Sequence, residues 1–232
     1  DDSLRRLQTD YIDLYQLHWP DRYVPLFGQA AYEPERVRET VAIADQLSAF
    51  AKLIQAGKIR YIGLSNETPW GIATFCQTAR QLNLPVIVSV QNAYNLLNRT
   101  FDWMLAEACY QERIGMLAYS PLGFGCLTGK YLRSQAPRGR LDLFPGFGQR
   151  YLKPNVNEAV AEYNAIAQKY GISPPHLALA FVRQRWFVTS TIIGATTLEQ
   201  LQENINSLQV VLTPEILKEI DQVHQRYSNP AP

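Results

Sequence analysis

The chain has 232 residues, 47% of them hydrophobic and 19% charged, an ordinary globular mixture with room for one large core or two small ones. Its 22 Lys and Arg against 21 Asp and Glu leave no basic field for nucleic acid or an anionic membrane surface. No apolar run approaches the roughly 20 residues that span a bilayer. Cys76, Cys109 and Cys126 are odd in number and far apart, with no CxxC and no nearby His. They predict neither a disulfide framework nor a zinc site, and fit a reducing cytoplasm. Asp1-Asp2-Ser3 is not the basic opening of a secretory leader. Asp1 to Gln8, with Leu4 and Leu7 at helical spacing, reads as the end of a helix, as though the sequence begins within something longer.

Tyr11-Ile-Asp-Leu-Tyr-Gln-Leu-His18-Trp-Pro20 reads as a strand stopped by proline. Ile12, Leu14, Gln16 and His18 share one face, so the carboxyl end carries an imidazole, where parallel α/β proteins bind ligands. The competing reading is a strand-end histidine bonded to a backbone carbonyl. Residues 21–38 show no period and read as a long loop. Ile43, Leu47, Phe50 and Ile54 mark a helix closed by Gly57. Ile59 to Leu64 is a strand ending in Ser65-Asn66, and Thr68-Pro69 caps a helix facing inward through Ile72, Phe75, Ala79 and Leu82.

Pro85 to Val90 is a third strand, ending in Gln91-Asn92, with a helix from about Thr100 to Glu112. Ile114 to Ala118 is a fourth, ending in Tyr119-Ser120-Pro121. A Gly-rich passage, Gly123-Phe-Gly-Cys-Leu-Thr-Gly129-Lys130, leads into a loop over 131–155. Val156 to Tyr170, closed by Gly171, and a second helix capped by Ser173-Pro174 follow. Val188 to Ile193 is the fifth strand, running into Gly194 and a capping box Thr196-x-x-Glu199. Thr213-Pro214 starts the last helix, with Ile216, Ile220, Val223 and Tyr227 on its face. The order βαβαβαβ(αα)βαα predicts a parallel sheet covered by helices, in one domain spanning 1–232.

Polar residues close four strands (His18, Ser65-Asn66, Gln91-Asn92, Tyr119-Ser120), and the fifth ends at Gly194 before a helix N-terminus. Such ends converge on one face of a parallel barrel, which predicts a site there. The Gly-rich passage is not a P-loop, because Gly123 to Gly129 is one residue too long and Tyr131 follows Lys130. Nor is it a dinucleotide fingerprint, since Thr128 stands at the third glycine position. It is either a flexible turn or an anion cradle with Lys130 and Arg140 as its charges, and Gly194 to Thr196 offers a second cradle. His176 and His224 read as structural, Asp13 as bound to backbone or a helix, and Trp70 and Trp103 as packed. Trp19 is placed as a wall of the site beside His18.

These motifs resemble the aldo-keto reductases, most closely the bacterial Tas-type members. Tyr11 to Pro20, Gly57-Lys-Ile-Arg-Tyr-Ile-Gly-Leu-Ser65-Asn66-Glu, Gln91-Asn92-Ala-Tyr-Asn-Leu-Leu-Asn, Ala118 to Tyr131 and Gly194 to Asn204 carry the resemblance in the family's order across almost the whole chain. The resemblance implies a (β/α)8 TIM barrel that binds NADP(H) and reduces a small-molecule carbonyl by hydride transfer. Ser65, Asn66 and Gln91 match positions that hold the nicotinamide carboxamide, and Tyr119 the aromatic stacked on the ring. Ser120, Leu122, Gly123, Gly125 and Lys130 match the pyrophosphate loop. Arg140, Thr196 and Gln200 match the region of the 2′-phosphate, and Glu203 and Asn204 the adenine positions. Of the family's catalytic Asp, Tyr, Lys and His, this chain matches only the His, as His18. The expectation is therefore strands four to eight of a barrel of eight, inactive alone, with activity in a longer parent. Two other readings stand beside it: a non-enzymatic NADP(H)-binding subunit like the channel-associated relatives, and an open five-stranded domain. The identity of the substrate and the oligomeric state are not legible.

Overall fold

Strands and helices alternate along the chain in the computed structural model, which describes residues 1–29, 31–132 and 139–232. Helix α1 (Asp2–Leu7) precedes β1 (Ile12–Gln16), α2 (Ile43–Gln55), β2 (Ile59–Ser65), α3 (Pro69–Leu82) and β3 (Ile87–Ala93). Then come α4 (Met104–Glu112), β4 (Gly115–Tyr119), the short α5 (Arg140–Leu143), α6 (Val156–Lys169) and α7 (Pro174–Arg183). Strand β5 (Val188–Thr191), α8 (Leu198–Asn206) and α9 (Pro214–Arg226) complete the order. The strands form one sheet in the order β1-β2-β3-β4-β5, as successive βα repeats of a (β/α)8 barrel do. Ile12 pairs with Ile59 and Gln16 with Gly63 in parallel register, and the β2–β3 ladder shifts register between Ile62 and Gly63.

Contacts divide the chain into two interleaved units: Asp1–Val24, Tyr32–Asn92 and Trp103–Met116 in the first, Pro25–Ala31, Ala93–Asp102 and Leu117–Pro232 in the second. In the first unit, α2 buries Leu47 and Phe50, and α3 buries Ile72, Phe75 and Ala79. These are the faces that the helical spacing predicts, except that Leu82, the last residue of α3, is exposed. Thr68 caps α3 by accepting from the Gly71 N–H, with Pro69 at the first helical position. Arg80 of α3 grips Glu112 of α4 through two bonds of 2.6 and 3.1 Å, which hold that carboxyl below its ordinary range.

In the second unit a half-buried carboxylate organises the core. Asp102 accepts from the Tyr94 hydroxyl at 2.6 Å, Arg99 Nε at 2.9 Å and Arg185 at 3.2 Å, while Arg99 also reaches Asp221 at 2.8 Å. Burial raises the Tyr94 phenol and depresses His224 on α9, whose Nδ1 is buried without a hydrogen-bond partner. The chain's last residues close over this cluster: Asn229 accepts from the Arg99 N–H and the Ala231 N–H donates to Leu97.

Several boundaries differ from the sequence reading. β1 ends at Gln16 and β5 at Thr191, so both strands are shorter than predicted. The helix expected from Thr100 is a 3-10 turn (Thr100–Asp102) followed by α4 from Met104. The 21–38 loop holds a 3-10 turn at Pro34–Arg36, and its residue 30 lies outside the described residues. The 131–155 loop contains α5 and a 3-10 turn at Gln149–Leu152, while its residues 133–138 also lie outside them. Asp13 pairs with Arg60 at 2.6 Å rather than with backbone or a helix.

The cap of α8 is Thr197, not Thr196: its hydroxyl accepts from the Gln200 N–H, three residues on. Thr196 instead gives its N–H and its hydroxyl to Gln200 Oε1. Thr197→Ala is accordingly expected to cost about 1 kcal/mol in urea unfolding. Thr196→Ala, at an exposed position outside the cap, should stay within about 0.5 kcal/mol; the reverse ranking would restore the box as read from sequence.

Candidate functional site

In the first unit the chain leaves β1 at Gln16, makes one more ladder bond from the Leu17 N–H to Gly63, and bends. His18 therefore sits two residues beyond the strand, exposed, its ring stacked on the exposed Trp19 at 4.4 Å and 21°. Its carbonyl, not its ring, is held: Asn66 Nδ2 donates to it at 2.8 Å. Asn66 can reach because its backbone adopts φ +55°, a region that Asn tolerates better than most residues. The Ser65 hydroxyl donates to the Gln91 carbonyl at 2.8 Å, and the Asn66 N–H to the same oxygen at 2.9 Å. Ser65, Asn66 and Gln91 thus form one bonded group at the ends of β2 and β3, with the His18 backbone tied to it.

Three residues without a sequence-assigned role fix this group. Asn92 accepts from the Glu67 N–H at 3.1 Å and donates back to the Glu67 carbonyl at 3.0 Å. The buried Glu67 carboxylate receives both ends of the Arg22 guanidinium and the Thr68 N–H. Arg22 in turn lies 4.8 Å above the ring of Trp70, which is 61% exposed rather than packed. A side chain at Gly71 would collide with Glu67 and Arg22, which explains the glycine inside a helix. A cavity of about 350 Å³ opens beside them, with Trp19, Arg22, Glu67 and Trp70 in its wall. Trp103, expected to pack, is 64% exposed at the start of α4.

The second unit holds a cleft of about 710 Å³, lined by Ser120, Leu122, Gly125, Lys130, Arg140, Gly194, Thr196, Gln200, Glu203 and Asn204 among others. Ten residues singled out from sequence thus meet on one surface. Gly123 is buried against Tyr151 beneath it. Ser120, Gly123, Phe124 and Gly125 all have positive φ, so the loop winds with the left-handed twist that its glycines allow. A Cβ at Gly125 would stand 2.7 Å from Lys130 Cε, so the lysine lies directly over the glycine. Asn95, fully buried, donates to the Ser120 carbonyl at 2.9 Å. Arg140 sits 4.8 Å over Phe124 and 5.5 Å over Phe147, a cation on two aromatic faces that no sequence signal announced. Asn204 donates to the Gly194 carbonyl at 3.3 Å, and His176 Nε2 lies 3.0 Å from the Glu203 carbonyl, a structural contact as expected. Tyr119 is half-buried; burial raises its phenol and the nearby Arg150 opposes that rise.

The family model for the aldo/keto reductase family matches residues 1–225. The chain belongs to the aldo/keto reductase family. It is 50% identical to the protein Tas of Escherichia coli K12 over 232 residues, all of this chain and 67% of Tas. An aldo-keto reductase of Babesia bovis is 43% identical over 247 residues, covering 99% of this chain and 86% of the relative. The L-glyceraldehyde 3-phosphate reductase of Escherichia coli K12 is 31% identical over 230 residues, 96% of this chain and 61% of that protein. Membership assigns the chain to a family of carbonyl-reducing oxidoreductases that use nicotinamide cofactors. No helix among the described residues is long and apolar enough to cross a membrane, and among them no cluster of three or more His, Cys, Asp or Glu is placed to hold a metal.

All three cysteines are buried and free, and burial pushes each thiol up to about 12. At pH 8 only about one in ten thousand is then a thiolate, the reactive form. Native protein at pH 8 is expected to leave Cys76, Cys109 and Cys126 unmodified by iodoacetamide, and all three to react in denaturant. Rapid labelling of any one under native conditions, read by peptide mass, would show that it is exposed.

Proposed function

We propose that this chain supplies the histidine and the cofactor-binding surface of an NADP(H)-dependent carbonyl reductase. The observation that carries this reading is charge left uncompensated in the cleft. Lys130 and Arg140 line it, and neither makes an ion pair with any described residue. Residues 133–138, outside the described set, include no Asp or Glu that could neutralise them. The glycine under Lys130 lets a phosphate approach the backbone, and the start of α8 offers N–H groups to a second one. A dinucleotide phosphate fits this donor set.

The cofactor, when bound, would supply a hydride for the carbonyl carbon. In this reading Ser65, Asn66 and Gln91 hold the carboxamide, whose donors and acceptors an amide-rich group can match. Tyr119 offers its ring face, and Gly194, Glu203 and Asn204 flank the distal end of the nucleotide. His18 orients the carbonyl oxygen and assists its protonation, and Trp19 walls the substrate. The family's Asp, Tyr and Lys have no match in this chain, so turnover is proposed for a family-length protein that carries them. The chain by itself is proposed to be inactive toward carbonyls.

Two substitutions in the family-length protein test this. Arg140→Ala is expected to weaken NADPH binding by about 1.5–3 kcal/mol, the range of a hydrogen bond to a charged group, and to spare NADH. Equal losses for both cofactors would remove Arg140 from the 2′-phosphate. His18→Ala is expected to lower kcat by about 10²–10⁴-fold at unchanged NADPH affinity. Intact kcat with lost cofactor binding would move His18 into the cofactor shell.

A further inference from the structure

Arg150 is 6% exposed, as deeply buried as Arg99 at 7%. Arg99 meets the expected requirement for a buried charge, with Asp102 at 2.9 Å and Asp221 at 2.8 Å. No carboxylate stands within ion-pair distance of Arg150, or of Lys153 three residues on, among the described residues. The undescribed stretch 133–138 again holds no acid, so the sequence itself excludes a hidden partner there.

What surrounds the two cations is neutral. The Arg150 guanidinium lies 5.0 Å from the ring of Tyr151 and 5.8 Å from that of Phe27. It sits by the hydroxyls of Tyr119 and Tyr151, drawing both phenols down against their burial. Lys153 Nζ donates to the Gly28 carbonyl. The turn Leu26–Gln29, with Phe27 at φ +54° and Gly28 at φ +106°, presses its backbone onto both. A Cβ at Gly28 would stand 3.2 Å from Arg150 Cβ and 3.2 Å from Lys153 Nζ. A desolvated guanidinium among phenols and rings, with the Lys153 ammonium on the same Gly28 turn, lacks one component: an oxyanion, which the planar fork of Arg matches bidentately.

We infer that Arg150 and Lys153 form an anion subsite beside Tyr119 that receives a carboxylate or phosphate carried by the carbonyl substrate. Its assignment to the substrate rests on the proposed function, in which Tyr119 faces the nicotinamide; the anion site itself does not. Neutral aldehydes would leave the guanidinium without a counter-ion, so the preferred substrates are carbonyl compounds bearing an acidic group.

The experiment is calorimetric titration of the full-length protein with benzoate, phenyl phosphate and neutral benzamide, with and without saturating NADP⁺. Benzoate or phenyl phosphate is expected to bind at least about 10-fold more tightly than benzamide, the better of the two identifying the acid. Arg150→Met should weaken the preferred anion by about 10-fold or more, and saturating NADP⁺ should leave its binding in place. Anion binding equal to that of benzamide, or no anion binding, would overturn the subsite. Displacement by NADP⁺ would hand Arg150 to the cofactor and overturn the substrate assignment. Anion binding without any NADP⁺ binding would instead sink the proposed function and leave the subsite standing. Should Arg150→Met not unfold cooperatively, the half-buried Lys153→Met carries the test: unchanged anion affinity there, with Arg150→Lys also unchanged, overturns the inference.

Discussion

Every parallel strand that ends in a sharp turn leaves backbone carbonyls with no ladder partner, and here asparagine amides supply the missing donors. In the first unit Asn66 donates to His18 and Asn92 to Glu67. In the second, Asn95 donates to Ser120 and Asn204 to Gly194. An unmet buried carbonyl costs about 1–3 kcal/mol, more than the net gain of an average hydrogen bond. Asparagine suits the task because its short amide reaches neighbouring backbone and its main chain accepts left-handed φ, as Asn66 does at +55°. Two of these four asparagines, Asn66 and Asn204, are also positions that the family resemblance assigns to cofactor binding. Asn66 and Asn204 cannot be altered for the one role without disturbing the other.

Charge is handled by a second rule, and its exceptions mark the places where ligands are proposed. Glu67 is a buried acid and Asp102 a half-buried one, and each is met by arginine and by further donors. Pairs such as Arg60 with Asp13 and Lys58 with Asp1 are exposed and contribute little. Against that background, Lys130 and Arg140 in the cleft, Arg150 beside Tyr119, and Lys153 make no ion pair among the described residues. A chain of net charge +1 has carboxylates enough to neutralise them. Where these cations rest on aromatic rings, those contacts replace only part of what a carboxylate or phosphate would provide.

The parts of the fold that follow local rules were legible in the sequence. Thr-Pro and Ser-Pro pairs placed the starts of α3, α7 and α9, because capping needs only a hydroxyl and a proline in succession. The apolar spacing of α2 and α9 gave their buried faces for the same reason. Boundaries set by tertiary partners were not legible. β1 stops where its ladder with Gly63 stops, not at Pro20, so His18 lies in the bend rather than on the strand. Thr196 and Thr197 both precede suitable acceptors and donors, and only backbone geometry selects Thr197. Trp70 is exposed and meets Arg22, forty-eight residues earlier, over one of its faces, a contact that periodicity cannot foresee. The cleft residues were found through motif order, whereas Phe147 and Arg150 belong to no motif and emerge only from contacts.

The loop after β4 shows how strain and order are joined. Ser120 and Phe124 hold φ +55° without being glycine, a conformation that costs about 1–2 kcal/mol each. Such residues persist only where surroundings over-determine them. Asn95 pins the first through its carbonyl, and ring contacts with Phe147, stacked at 5.2 Å, and Tyr151, tilted at 5.1 Å, pin the second. These clamps are made by the chain's own residues, and they hold the winding that places Gly125 under Lys130. A phosphate arriving there would meet backbone and lysine in fixed positions, and little ordering would remain to oppose its binding.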